Sequence, residues 1–103
     1  MISQLEKLLG TPRDGALLRY SLGLEYAKTG DHARAAEYLR EAVARDPLYS
    51  AAWKALGKVL GETSEALEAY RRGIEAAKQK GDRQAEKEMT VFARRLEKQL
   101  GKT

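Results

Sequence analysis

His32 is the only histidine in the chain, and cysteine is absent. The side chains most often used as nucleophile, proton relay or metal ligand near neutral pH are therefore reduced to one imidazole. That imidazole follows Asp31 at a predicted helix start, where an exposed or capping role is ordinary, and there is no second histidine or thiol from which to build a metal site. Carboxylates are plentiful. Glu37 with Glu41, and Glu62 with Glu65 and Glu68, recur at three- and four-residue intervals among Arg and Lys, which is how a solvated helix face reads. The nine glycines are scattered and form no glycine-rich phosphate loop. These observations leave no catalytic, metal or cofactor site legible, and the expectation is a protein that is not an enzyme.

The aromatic residues raise a different chemistry. Trp53, Tyr26, Tyr38, Tyr70 and Phe92 in a chain of pI near 9.4 are the raw material of a base-stacking surface. Most of them share faces with Leu22, Leu39, Leu56 and Leu96, so packing in a core is the favoured role. The net charge of +4 is unevenly placed: residues 71–103 hold 10 basic and 5 acidic side chains, whereas residues 1–70 hold 9 and 10. The Arg71-Arg72 and Arg94-Arg95 doublets have Glu75 and Glu97 close by, so a continuous basic track for nucleic acid does not follow from them.

The elements that position these side chains are helical. Of 103 residues, 60 are Ala, Leu, Glu, Lys or Arg, and only five are Val or Ile. A 34-residue repeat lies on top of that composition. Leu22-Gly23 recurs as Leu56-Gly57, inside Arg19-x-x-Leu22-Gly23-x-x-Tyr26 and Trp53-x-x-Leu56-Gly57-x-x-Leu60. Ala35, Leu39, Ala42 and Pro47 follow the first copy, and Ala66, Tyr70 and Gly73 follow the second.

These residues resemble the tetratricopeptide-repeat family, whose unit runs W-x-x-L-G-x-x-Y, then A-x-x-x-F, then Ala and a closing Pro. Residues 16–49 match it closely. The second copy, residues 50–80, is three residues shorter between Leu60 and Ala66, so its Gly61-Glu62-Thr63-Ser64 turn is expected to be tighter than Thr29-Gly30-Asp31. It has Lys78 where the proline would fall, and its second helix is expected to run on to about Lys80. Met89-x-x-Phe92-Ala93-x-x-Leu96 repeats the first-helix spacing once more, giving a capping helix over residues 82–100, and residues 1–14 supply a short N-terminal helix. The implied fold is all-α: antiparallel helical hairpins stacked as a short right-handed superhelix of about six helices, in one domain.

Helices are predicted at about 3–9, 15–29, 32–45, 50–60, 64–80 and 83–100. Ser3-x-x-Glu6 has the capping-box pattern, Asp14 and Ser50 are candidate caps, and Gly30-Asp31 and Gly81-Asp82 each pair a helix-ending glycine with a capping aspartate. Gly23 and Gly57 lie mid-helix, where glycine costs about 1 kcal/mol relative to alanine, and so predict close approach by a neighbouring helix. Ala35, Ala42 and Ala66 would admit it.

The resemblance also implies a site. In the family the first helix of each repeat lines a concave groove that holds a segment of a partner protein. Its positions here are Leu17, Tyr20, Leu24 and Lys28 in the first copy, Lys54 and Lys58 in the second, and Lys87, Thr90, Arg94 and Lys98 in the capping helix. The lining would be apolar at one end and basic along the rest, and the expected partner is an acidic protein segment or peptide. Members that clamp a C-terminal carboxylate use lysine, asparagine and arginine there. Tyr20, Leu24, Ala55 and Val91 occupy those positions in this chain, and only Lys87 fits, so that clamp is not expected. A monomer is favoured, with dimerisation through apolar repeat ends as the alternative and nucleic-acid binding third. No run reaches the roughly 20 apolar residues of a membrane span, and Met1-Ile2-Ser3 leads into Glu6-Lys7 without a signal-type apolar block, so the expected location is cytoplasmic.

Overall fold

The computed structural model describes residues 1–101. Among them are six α-helices and no strand: α1 Ile2–Glu6, α2 Ala16–Lys28, α3 His32–Arg45, α4 Ser50–Leu60, α5 Ser64–Lys80 and α6 Arg83–Gln99. Each helix packs on its neighbours in the chain, as expected of apolar stripes that no single hairpin can bury. In addition α2 meets α4 and α4 meets α6, while the backbones of α3 and α5 stay apart. The first helices of the repeats thus lie side by side in an elongated stack of 44 × 29 × 18 Å.

Small residues set the spacing of this stack. A Cβ on Gly23 would stand 2.6 Å from Leu39 Cγ, and one on Gly57 would stand 2.6 Å from Tyr70 Cζ, so each hairpin closes over a glycine. Ala35, Ala42 and Ala66 on the opposing helices have no exposure at all. One core cluster runs from Leu39 through Trp53, Leu56, Leu67 and Tyr70 to Met89 and Leu96, and a smaller one joins Leu18, Leu22, Tyr26 and Ala35 beneath α1. Trp53, Tyr26 and Tyr70 belong to these cores, and Tyr38 and Phe92 pack against them, which leaves little aromatic surface for stacking bases.

The helix ends follow the turn chemistry with four exceptions. Asp31, Thr63 and Asp82 accept hydrogen bonds from the backbone N–H groups of Arg34, Ala66 and Ala85, and Gly81 ends α5 in the left-handed conformation at φ 73°. The capping box at Ser3 and Glu6 does not form: α1 is shorter than expected, and Glu6 accepts instead from two tyrosine hydroxyls. Asp14 caps nothing, because its carboxylate is held by the Arg19 guanidinium and the Gly10 N–H, so α2 begins after Gly15. Ser50 is the first helical residue of α4, not its cap, and its hydroxyl bonds Asp82 at 3.2 Å, tying the start of α4 to the start of α6. Finally, the shorter second copy has no tighter turn. Both hairpin turns contain three residues, 29–31 and 61–63. The deficit is taken up by α4, which stops three residues after Gly57 where α2 runs five past Gly23, and by α5, which starts one residue nearer its alanine. Gly61, at φ 70°, imposes that early stop.

Candidate functional site

The ten residues expected to line a groove all fall on α2, α4 and α6. At the α2 end Leu17 is 68% exposed. Tyr20 is half-buried with its ring 4.9 Å from that of Tyr49, and Leu24 borders a small depression with Met1 and Leu5. Lys28 pairs with Glu25 of its own helix at 3.1 Å.

The basic part of the lining is less free than the sequence suggests. Lys54 reaches across to α6 and donates to Glu88 at 2.7 Å, and the carboxylate is held further by Gln84. The Lys54 hydrogen bond, followed by that of Gln84, keeps the Glu88 carboxyl below its ordinary range. Glu88 is therefore a component of this surface that spacing alone did not reveal. Its signal was present as an acidic residue 34 positions after Lys54, the repeat period itself. The Lys58 ammonium lies 5.5 Å from the centre of the Phe92 ring. Thr90 turns its hydroxyl back to the Glu86 carbonyl at 2.7 Å. Lys87, Arg94 and Lys98 are exposed and have no ion-pair partner among the described residues. With Arg83 they recur at i, i+4, i+11 and i+15, within about 60° of arc on an α-helix, and Val91 beside them is 53% exposed.

A larger depression lies elsewhere. About 490 Å³ in volume, it sits between α3 and α5 above α4, with Val43, Pro47, Trp53, Leu56 and Ala69 in its lining. None of the ten groove residues borders it. Trp53 Nε1 donates to the Pro47 carbonyl at 2.8 Å, and the Arg72 guanidinium covers the indole at 5.9 Å. Its rim is neutralised internally by Arg40–Glu65 at 3.0 Å and Arg72–Glu68 at 3.1 Å. Sequence reasoning missed this cleft because it forms where two second helices diverge, a distance that helical periodicity does not encode.

The described residues contain no group of three His, Cys, Asp or Glu side chains placed to hold a metal ion, and His32 is exposed in the first turn of α3. No helix among the described residues is long and apolar enough to cross a membrane. The tetratricopeptide-repeat family profile matches residues 20–81, more than half of the chain. The chain belongs to the tetratricopeptide-repeat family. The TPR repeat-containing protein PA0015 of Pseudomonas aeruginosa is 50% identical over 101 residues, covering 95% of this chain and 96% of that protein. In structure the chain is similar to protein BPP2914 of Bordetella parapertussis, with a TM-score of 0.79 and 41% identity over 96% of this chain and 89% of that one. It is also similar to a tetratricopeptide-repeat domain protein of Salinibacter ruber, with a TM-score of 0.74 and 30% identity over 82% of this chain and 97% of that one. The tetratricopeptide repeat is a non-catalytic repeat type that mediates protein–protein interaction.

Proposed function

We propose that this tetratricopeptide-repeat protein is a non-enzymatic binding module that holds a segment of a partner protein along the exposed side of α2, α4 and α6. What supports this reading is the change in exposed residue type from α2 to α4 and α6. Leu17, Tyr20 and Leu24 offer apolar contact at one end, while Lys58, Lys87, Arg94 and Lys98 supply cations at the other, none of them with an ion-pair partner among the described residues. Unpaired surface cations favour an acidic partner, and the attraction operates over a Debye length of about 8 Å at physiological salt. The ligand is accordingly an acidic segment with hydrophobic anchors that settle near Tyr20.

Affinity capture from lysate of the source cells tests the reading when wild type is compared with a Lys58→Glu/Arg94→Glu variant. Lys54 is a poorer choice, because Lys54→Glu would bring a second carboxylate against Glu88 and disturb the α4–α6 contact itself. Loss of the captured protein with unchanged helicity is the expected result. Retention of the same protein by the variant would refute the proposed surface.

A further inference from the structure

α1 is the least secured helix of the fold. It has five residues, none of them buried, and a helix this short is unstable alone because its nucleation cost is not recovered by so few bonds. It is held from outside. Ile2, Leu5, Leu8 and Leu9 rest on the cluster formed by Leu18, Leu22, Tyr26 and Ala35, and Glu6 supplies the polar anchor.

The corner that receives Glu6 is made entirely by α2 and α3. Tyr26 and Tyr38 stack with ring centres 5.7 Å apart and planes 10° apart, and both hydroxyls donate to the same Glu6 oxygen, Oε2, at 2.7 and 3.1 Å. Arg34, one turn before Tyr38, lies over the Tyr26 ring at 5.6 Å and donates to its hydroxyl at 3.4 Å, adding positive charge beside the carboxylate. An open depression of about 370 Å³ lies there, with Arg19, Glu37 and Glu41 completing its wall. The hydrogen bond from Tyr26 to Glu6, and for Tyr38 mainly burial, raise the phenol pKa values, so both hydroxyls remain donors throughout the physiological range.

We propose that this corner is a carboxylate-binding site at the α2–α3 end of the stack, adjoining the α2 end of the proposed groove where Met1 and Leu5 border Leu24, and that residues 1–9 are a displaceable plug in it. The plug defines the ligand: an acidic side chain flanked by leucines, as in Leu5-Glu6-Lys7-Leu8-Leu9, presented by a segment of another protein. A tethered plug competes at an effective concentration in the millimolar range, so an external segment gains access in proportion to how easily the plug opens.

The test uses the full chain, wild type and a Leu5→Ala/Glu6→Ala variant that loosens the plug and leaves the receiving residues intact. The probe is a synthetic peptide with the sequence of residues 1–9, and binding is followed by NMR of the backbone amides. The peptide is expected to shift signals around Tyr26, Arg34 and Tyr38 in the variant, and to bind wild type about tenfold more weakly because the plug must first leave. Replacing glutamate by glutamine in the peptide is expected to cost about another tenfold, as for loss of a charge-assisted hydrogen bond. Equal affinity for both chains, no binding to the variant, or indifference to the glutamine change would each overturn the proposal. Hydrogen exchange of the wild-type chain tests it independently of any variant. The amides of Leu5, Leu8 and Leu9 should exchange by local opening far sooner than those of Leu22 and Leu39, and exchange of both sets at one global rate would also overturn it.

Discussion

At the scale of single residues, the glycines and one buried-edge ion pair explain most of what the chain cannot change. Gly57→Ala gains about 1 kcal/mol of helix propensity but drives a methyl into the Tyr70 ring, and overpacking of this kind costs about 1–3 kcal/mol. Tyr70 is a rigid ring and only 5% exposed. The expected net loss is about 0–2 kcal/mol in urea unfolding, the packing term less the propensity term. Leu39→Ala, under Gly23, should cost about 2–5 kcal/mol for the cavity it leaves. Asp14 yields a pH prediction. Hydrogen bonds from Arg19, and then from the Gly10 N–H, hold its carboxyl well below the ordinary value of 3.8. A carboxylate with a depressed folded pKa contributes stability that is fully present above its unfolded pKa and disappears as pH falls through the folded value. The melting-temperature gap between wild type and Asp14→Asn should therefore be constant from about pH 7 to pH 5 and shrink below about pH 4. A gap that widens on acidification would contradict this sign. Gly23 and Gly57 announced their role in the sequence because a mid-helix glycine is costly unless something needs the space. Asp14 was misread as a cap because its partners, Gly10 and Arg19, four and five residues away, are brought to it by a loop path that no periodicity describes.

At the scale of elements, helices α3, α4 and α5 take the bounds expected of them, and Gly30-Asp31 and Gly81-Asp82 mark the start of α3 and the end of α5 as read, whereas the Thr63 cap that starts α5 was not among the caps read from the sequence. Thr63→Ala should cost about 1 kcal/mol through the lost bond to the Ala66 N–H, whereas Thr63→Gly should cost only a few tenths, a contrast measurable by thermal unfolding. Equal losses would mean that the hydroxyl acts through packing and not as a cap. The ends of the stack were harder to read. In α1 the same glutamate that completes a capping-box pattern is drawn 20 and 32 residues along the chain to Tyr26 and Tyr38, and tertiary hydrogen bonds outcompete the local one. The missing residues of the second repeat were likewise assigned to its turn, when the positive-φ backbone at Gly61 removes them from the helix.

At the scale of the whole molecule, the repeat period decided the fold because side chains 34 residues apart had to meet across neighbouring first helices, as Lys54 and Glu88 do. The surface chemistry was legible as residue types on one side, but not the state of each charge, since Lys54 is spent on Glu88 while Lys87, Arg94 and Lys98 are not. If those cations recruit the partner, raising ionic strength from about 0.05 to 0.5 M should weaken binding at least tenfold, chiefly by slowing association. The most direct measurement is an NMR titration of the backbone amides with the captured partner's segment. The proposed surface predicts shifts gathered at Leu17, Tyr20, Leu24, Lys58, Lys87 and Arg94, with Val43, Trp53 and Arg72 undisturbed. Shifts centred on Trp53 and Arg72, in the cleft between α3 and α5, would contradict it.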